Sequence, residues 1–273
     1  MTKKFGIIGD PIKHSLSPAL HNYWLKKYNI DANYSIIQIK ENEISKIVDE
    51  IRKKELTGVN ITLPYKQKIV PHIDSLINDA EVTGSVNILY RDDKGKIIGE
   101  NTDVFGLQAA YLKELDKNSI KKILVIGAGG VSPSVILSLR KSGANEIFLT
   151  NRTMEKCIFL KKKFKFLNII EWENLKNEII NFDMIVNATS LGLKNGIDFN
   201  FDFYPVKENL IYIDTIYNPL ETKTLKFLKE KGNKVFNGLD MFIYQGQKAF
   251  YLWNKINPEI DEELIELLLS KLK

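Results

Sequence analysis

The chain is poor in residues that form covalent or metal cross-links. It contains one cysteine, Cys157, and three histidines among its 273 residues. A single cysteine excludes an intrachain disulfide framework and a thiolate metal cage. The histidines have no paired spacing, so we expect no metal site. We interpret His14 as a loop residue that lines a binding site and His21 as a residue on the surface of a helix.

Long apolar runs and a clustered charge are also missing. The longest apolar runs are far short of the roughly 20 residues that a membrane span requires, and the first residues, MTKKFGIIGDP, lack the apolar core of a signal peptide. We therefore expect a cytoplasmic protein without a membrane partner. The net charge of +5 comes from lysines spread along the chain. No basic stripe with interleaved aromatic residues is present, so we expect no nucleic-acid partner.

The most informative stretch is residues 121–143, KKILVIGAGGVSPSVILSLRKSG. The apolar run at 123–126 is typical of a strand buried on both faces of a parallel sheet. Gly127, Gly129 and Gly130 follow at once and lead into a helical pattern. Glycines at such a turn let the backbone approach a pyrophosphate, which the N-terminus of the next helix attracts. This context predicts a nucleotide site, whereas the alternative is a glycine turn in an ordinary βα unit.

Short apolar strands alternate with helical patterns along most of the chain, which predicts an α/β fold. The first hundred residues form one α/β unit, in which Ser17 is expected to cap a helix that begins at Pro18. After Asp103 we expect a single helix that runs to about Leu115. A second α/β unit continues to residue 238, and the chain beyond it is expected to be helical almost to its end.

The residues after the second strand of the second unit indicate which nucleotide is bound. In nucleotide-binding folds an acid at this position binds the 2′-hydroxyl of NAD, and an arginine accommodates the 2′-phosphate of NADP. Here the strand ends at Thr150 and is followed by Asn151, Arg152 and Thr153, with Lys156 one turn later. Arginine can hold a phosphate in a planar fork, and lysine adds a point charge. The pattern favours NADP, although an exposed arginine at a strand end is common in isolation.

Four polar clusters lie at strand ends or helix starts outside this nucleotide unit. They are Ser15 with Ser17; Asn60 with Thr62 and Lys66; Asn87; and Asn101 with Thr102 and Asp103. Residues at the ends of several strands can converge on one crevice, and these hydroxyl and amide groups suit a polyol with a carboxylate. Lys66 and Asp103 are the plausible proton-transfer pair. Each cluster taken alone is also compatible with turn or capping chemistry.

These residues carry a resemblance to a known family. The chain resembles the shikimate dehydrogenases of the shikimate/quinate dehydrogenase family. The matching strings run in family order from residue 9 to residue 250: GDPIKHSLSP, GVNITLPYK, GSVNIL, ENTDVFG, IGAGG, TNRT, NATSLG, IYNPLET and GLDMFIYQGQKAF.

The resemblance implies two domains and one reaction. Residues 1–103, completed by C-terminal helices at 239–273, would form an α/β substrate-binding catalytic domain, and residues 104–238 a Rossmann-like, doubly wound NADP-binding domain. The reaction would be the reversible NADPH-dependent reduction of 3-dehydroshikimate to shikimate in aromatic amino-acid biosynthesis, carried out by a monomer or homodimer. Lys66 would act as general acid beside Asp103.

The resemblance also assigns the binding residues. The substrate would be held by Ser15, Ser17, Asn60, Thr62, Asn87, Tyr217 and Gln245. The cofactor would be held by Gly127, Ala128, Gly129, Gly130, Asn151, Arg152, Thr153, Lys156, Thr189, Ser190, Leu191 and Gly238.

One departure from the family pattern and two alternatives qualify these expectations. Residues 131–134 are Val-Ser-Pro-Ser where small residues and an arginine are usual, so NADP binding is expected to rest more on Arg152. An NAD-linked quinate/shikimate dehydrogenase is one alternative, which an acid in place of Arg152 would favour. A catalytically silent metabolite-binding protein is the other, which loss of Lys66 or Asp103 would favour.

Overall fold

The chain folds into two compact α/β units, each with its own six-stranded sheet. The computed structural model describes residues 2–113, 115, 119–194, 196–201 and 203–272. Unit 1 consists of Met1–Gly106 and Ile243–Lys273, and unit 2 consists of Leu107–Phe242. The expected α/β class is therefore confirmed.

Unit 1 contains a mixed sheet. Its strands are β1 (Lys3–Gly9), β2 (Ala32–Gln38), β3 (Gly58–Ile61), β4 (Ser75–Leu76), β5 (Ile88–Arg91) and β6 (Ile97–Glu100), in the order β2-β1-β3-β5-β6-β4. Strand β1 pairs in parallel with β2 and β3, whereas β5 runs antiparallel to both β3 and β6.

Unit 2 contains a wholly parallel sheet. Its strands are β7 (Lys122–Ile126), β8 (Glu146–Thr150), β9 (Asn168–Ile169), β10 (Met184–Asn187), β11 (Ile211–Asp214) and β12 (Lys234–Phe236). The order is β12-β11-β10-β7-β8-β9, so the chain proceeds outward from β7 first to one side and then to the other. This is the doubly wound order, and the reversal between β7 and β10 is where such folds bind their ligands.

Helices connect most of the strands. They are α1 (Ser17–Lys27), α2 (Ile44–Arg52), α3 (Asp79–Thr83), α4 (Asp103–Leu107), α5 (Ser132–Lys141), α6 (Met154–Lys163), α7 (Leu175–Glu178), α8 (Lys223–Glu230), α9 (Leu239–Asn254) and α10 (Glu262–Lys271). Among the described residues, no helix combines the length and the apolar character needed to span a lipid bilayer.

Two details of the expected helices are wrong. Helix α1 already includes Ser17, and the side chain that accepts the Ser17 N–H is that of Ser15, at 3.2 Å. The single helix expected from Asp103 to about Leu115 is instead the short α4 followed by a π-helical turn, Gln108–Leu112. A single π turn has i→i+5 hydrogen bonds in place of the i→i+4 bonds of an α turn, and five residues are too few for apolar spacing to show this difference.

The core of each unit follows from the residue pattern of its elements. In α2, Ile44, Ile47, Val48 and Ile51 recur at helical spacing, and all are buried in the core cluster of unit 1. In β7, Ile123 and Val125 join one hydrophobic cluster, and Leu124 and Ile126 join another. Successive side chains of a strand point to opposite faces, so β7 is covered on both faces, as its continuous apolar run predicts.

His21 is not a surface residue, contrary to expectation. Its side chain is 1% exposed and stacks on the Tyr34 ring, with centroids 4.4 Å apart and planes 6° apart. Burial lowers its pKa to about 3, so the ring is neutral. The reason is its place in α1, because His21 lies three residues before the buried Trp24 and therefore on the same helix face.

Candidate active site and nucleotide-binding turn

One edge of the unit 1 sheet collects the polar clusters. The carboxyl ends of β1, β3 and β6 lie beside the amino end of β5 at this edge. The strand register shows this, because Ile8 pairs with Ile61, and Ile88 pairs with both Asn60 and Glu100. The segments that leave or enter the sheet at this edge carry Ser15 and Ser17, Lys66, Asn87, and Asp103. The mixed sheet therefore brings to one edge residues that are up to 88 positions apart in the sequence.

Lys66 and Asp103 form a nearly buried ion pair. The Nζ atom of Lys66 lies 2.6 Å from Oδ2 of Asp103, and the two side chains are 11% and 7% exposed. Removing two charges from water costs free energy, which such a pair recovers only with good geometry and further hydrogen bonds. The carboxylate has such a bond, because its other oxygen accepts from Asn87 Nδ2 at 2.8 Å.

Asn87 is the centre of the surrounding hydrogen-bond network. Its Nδ2 also lies 2.9 Å from Thr102 Oγ1 and 3.3 Å from Gln245 Oε1, and its Oδ1 accepts the Thr102 N–H at 2.8 Å. The Asp103 N–H donates to Asn101 Oδ1 at 3.0 Å. These bonds fix the position and orientation of the Asp103 carboxylate, which in turn holds the Lys66 ammonium.

The remaining predicted substrate residues are distributed as follows. Asn60 lies in β3 and donates from Nδ2 to the Asn87 carbonyl at 3.1 Å, which joins it to the network. Ser15 donates from Oγ to Ser17 Oγ at 3.2 Å, next to the exposed loop residue His14. Thr62 directly follows β3.

Tyr217 belongs to unit 2, where its ring lies 4.8 Å from that of Phe242.

The glycine turn of unit 2 follows β7 at the reversal point of the sheet. Gly127 has a φ of +110°, and a Cβ there would lie 2.7 Å from Thr189 Cγ2, so both conformation and space require glycine. The Gly127 N–H donates to Thr150 O at 2.8 Å. At Gly129, no heavy atom of the described residues lies within 4 Å of an added Cβ. This open side beside the start of α5 fits a pyrophosphate.

Side chains from the first residue of α5 and from the loop after β8 hold this turn. The Ala128 N–H donates to Asn151 Oδ1 at 3.2 Å, and the Gly129 N–H donates to Ser132 Oγ at 2.9 Å. Asn151 also donates to Thr153 O at 3.0 Å. Arg152, Thr153 and Lys156 are exposed at the carboxyl end of β8. The donor set is cationic and amide in character, which suits a nucleotide that carries an additional phosphate.

Two buried polar residues that sequence reasoning missed hold the loops after β10 and β11. Asn187 accepts the Thr189 N–H at 3.0 Å and donates to both Leu191 O and Asp214 Oδ1 at 3.1 Å. Asp214 also accepts from the Ile216 N–H and from Thr222 Oγ1, both at 3.0 Å. Burial raises the pKa of Asp214 to about 7 despite these donors. The available signal is a polar residue at the end of an otherwise apolar strand.

The positions of Ser190 and Gly238 are also set by this part of unit 2. Ser190 lies between Thr189 and Leu191, in the loop that Asn187 holds. A Cβ at Gly238 would lie 2.3 Å from Thr215 O, so the backbone approaches too closely for any other residue.

Tyr34 is a further residue that sequence reasoning missed, and it donates from its hydroxyl to Asn60 Oδ1 at 2.8 Å.

Comparisons with known proteins cover nearly the whole chain. Family models described as "Shikimate dehydrogenase substrate binding domain" and "Shikimate / quinate 5-dehydrogenase" match residues 7–89 and 110–194. A shikimate dehydrogenase (NADP(+)) from Pelagibacter ubique (strain HTCC1062) is 47% identical over 98% of this chain and 99% of its own length.

Solved structures are similar over the same extent. Shikimate 5-dehydrogenase from Thermus thermophilus, in complex with NADP(H) and shikimate, is 31% identical with a TM-score of 0.86, over 99% of this chain and 100% of that chain. Quinate dehydrogenase from Corynebacterium glutamicum, in complex with NAD, is 25% identical with a TM-score of 0.87, over 98% and 99% of the two chains.

Proposed function

We propose that this chain, which belongs to the shikimate dehydrogenase family, catalyses the reversible NADPH-dependent reduction of 3-dehydroshikimate to shikimate. The observation that carries the proposal is the Lys66–Asp103 pair, nearly buried and held by Asn87 among amide and hydroxyl groups. A silent metabolite-binding protein has no need for a desolvated proton donor with a fixed counter-charge. The reaction belongs to aromatic amino-acid biosynthesis. The expectation of a cytoplasmic monomer or homodimer stays a prediction.

Lys66 supplies the proton for the reduction. NADPH, when bound, supplies the hydride that adds to the ketone carbon of the substrate. The Lys66 ammonium donates a proton to the ketone oxygen as the carbon–oxygen double bond becomes a single bond, and it then recovers a proton from water. Asp103 fixes Nζ and stabilises its positive charge before transfer. In the direction of shikimate oxidation, neutral Lys66 accepts the hydroxyl proton.

The other polar residues of unit 1 orient the substrate. Ser15 and Ser17, at the start of α1, bind the carboxylate through their hydroxyl groups. Asn60, Thr62, Asn87 and Gln245 bind the ring hydroxyls or the carboxylate, and Tyr217 stands near the substrate. Amide groups that are already fixed by the protein bind a polyol with little further loss of conformational freedom.

The residues of unit 2 hold the cofactor. The turn Gly127–Gly130 cradles the pyrophosphate beside the N-terminus of α5, because glycines let the phosphate approach the backbone closely. Asn151, Arg152, Thr153 and Lys156 surround the 2′-phosphate of NADP. Thr189, Ser190, Leu191 and Gly238 lie on the ribose and nicotinamide side.

An absorbance assay tests the proposal. Purified protein is mixed with shikimate and either NADP⁺ or NAD⁺, and the absorbance of the reduced cofactor is followed. A rise with NADP⁺ that greatly exceeds the rise with NAD⁺ is the expected result. Preference for NAD⁺, together with turnover of quinate, would instead support an NAD-linked quinate/shikimate dehydrogenase. No rise with any pair would reject a dehydrogenase function for these substrates.

A further inference from the structure

Tyr34 connects the hydrophobic interior of unit 1 to the proposed substrate site. It lies in β2, and its side chain is 3% exposed. Its hydroxyl lies 2.8 Å from Oδ1 of Asn60, a buried contact between residues 26 positions apart. The family strings in the sequence do not include Tyr34.

The hydrogen bonds of Asn60 admit one orientation of its amide. The main-chain carbonyl oxygen of Asn87 can only accept a hydrogen bond. The Asn60 group that faces it at 3.1 Å is therefore the NH₂. The Asn60 oxygen therefore faces Tyr34, whose hydroxyl donates to it. Rotating the amide by 180° would place the Asn60 oxygen against the Asn87 oxygen and would lose that bond.

Tyr34 is itself held by two consecutive residues of α1. The Asn22 side chain donates to Tyr34 O at 2.8 Å and accepts the Tyr34 N–H at 2.9 Å, so it fixes the backbone of Tyr34 at both groups. The His21 ring stacks on the Tyr34 ring at 4.4 Å. Neither ring nitrogen of His21 has a hydrogen-bond partner among the residues that the structure describes. His21 therefore acts as a flat apolar surface for Tyr34.

We propose that Tyr34 is a positioning residue for shikimate: its hydroxyl holds the Asn60 amide so that the second N–H of Asn60 donates to a substrate oxygen. The proposal rests on the proposed function, because it assigns a substrate contact to Asn60. Without the Tyr34 hydroxyl, the Asn60 amide loses one of its two fixed partners. Part of the binding free energy of the substrate is then spent on orienting the amide.

The first test is the Tyr34→Phe variant, which removes one oxygen atom from a ring that stays packed. We expect the KM for shikimate to rise about 3- to 10-fold, the range for one neutral hydrogen bond. The kcat and the KM for NADP⁺ should stay close to those of the wild type. Tyr65→Phe is the matched control, since the equally buried Tyr65 hydroxyl donates to the Ile39 carbonyl at 2.8 Å. Its KM for shikimate should not change.

A double-mutant cycle with Asn60→Ala separates positioning from general loosening of the core. If Tyr34 acts through Asn60, Tyr34→Phe has no further effect on KM in the Asn60→Ala background. An equal rise in KM in both backgrounds, or no rise in the wild-type background, would overturn the proposal. If Tyr34→Phe does not fold, Asn22→Asp replaces it in the cycle, because this change removes the donor to the Tyr34 carbonyl.

The same assay distinguishes a failure of the positioning role from a failure of the proposed function. A wild-type enzyme that turns over shikimate, combined with an unchanged Tyr34→Phe variant, rejects only the positioning role. A wild-type enzyme without shikimate activity rejects the function and the positioning role together.

Discussion

The Nζ atom of Lys66 lies 2.6 Å from Oδ2 of Asp103, while Oδ1 of the same carboxylate accepts from Asn87 at 2.8 Å. Both carboxylate oxygens are thus engaged, one by a cation and one by an amide that is itself hydrogen-bonded to Thr102. The position of the lysine is set by a chain of polar contacts in a nearly dry environment. Such preorganisation lets a proton donor act without first rearranging its surroundings.

Asp103→Asn should remove the negative charge that faces Lys66 while it keeps the size and shape of the side chain. The amide oxygen can keep the bond from Asn87, which leaves the NH₂ group facing the Lys66 ammonium. Lys66 then loses its acceptor, and we expect kcat to fall by about 10²-fold or more and the melting temperature to drop. Steady-state kinetics and thermal unfolding measure the two effects. The exposed Asp93→Asn is the control, and equal kinetics for both variants would contradict the role of Asp103.

Arg152→Ala should reduce the preference for NADP⁺ over NAD⁺. Arg152 is exposed at the carboxyl end of β8, close in sequence to Asn151, which holds the glycine turn. A hydrogen bond to a charged group is worth about 1.5–3 kcal/mol, so the ratio of kcat/KM values for the two cofactors should fall roughly 10- to 100-fold. Lys162→Ala, an exposed lysine on α6, is the control. An unchanged ratio would show that the 2′-phosphate is held elsewhere.

Asp214 should make the stability of the protein depend on pH. Burial raises its pKa to about 7 in the folded state, whereas the pKa of an unfolded aspartate is about 3.9. Between these values the folded state binds a proton that the unfolded state has lost. Stability therefore falls as pH rises from about 4 to 7, by up to about 1.4 kcal/mol per pH unit, and is flat above. The neighbouring Tyr212 and Tyr111 have raised pKa values and stay neutral in this window.

Asp214→Asn isolates this contribution. The amide oxygen can accept from Ile216 and Asn187, and the NH₂ can donate to Thr222, so the network keeps its shape. Urea unfolding at several pH values measures the free energy of unfolding of wild type and variant. The difference between these two free energies should change between pH 4 and 7. Parallel stability curves would show that Asp214 does not titrate in that range.

His21→Phe should retain activity, although histidines often transfer protons. Burial holds the pKa of His21 near 3, so the ring is neutral at every pH at which the enzyme is assayed. A phenyl ring preserves the stacking surface for Tyr34. The pH profile of kcat/KM should superimpose on that of the wild type. Loss of one limb of that profile would identify His21 as a proton-transfer group.

Local sequence patterns were sufficient to predict features that depend on a single strand, helix or turn. The continuous apolar run before Gly127 predicted a doubly covered parallel strand, and the glycines after it predicted the turn at the sheet reversal. Lys66 and Asp103 could be paired because each follows a predicted strand. The carboxyl ends of β3 and β6 lie at the same edge of the sheet, on either side of β5, even though the register was unknown.

The remaining features depend on contacts between distant segments. Tyr34 is the one aromatic residue of an ordinary alternating strand, and its contact with Asn60 becomes visible only when β2, β3 and α1 pack together. Asp214 is an ordinary strand terminus in the sequence until its burial beside Asn187 is known. His21 was misassigned because a titratable residue was expected to face water, whereas its position relative to Trp24 places it inside.

The most direct test of the proton-transfer role of Lys66 compares wild type with Lys66→Ala in the reduction of NADP⁺ by shikimate. We expect shikimate binding, measured by calorimetry, to be largely retained while turnover falls by about 10²–10⁴-fold, because a general acid–base group is lost. Lys68→Ala provides the control, since Lys68 lies two residues further on and pairs with the exposed Glu41. Near-normal turnover in Lys66→Ala would contradict the assignment of Lys66 as the general acid.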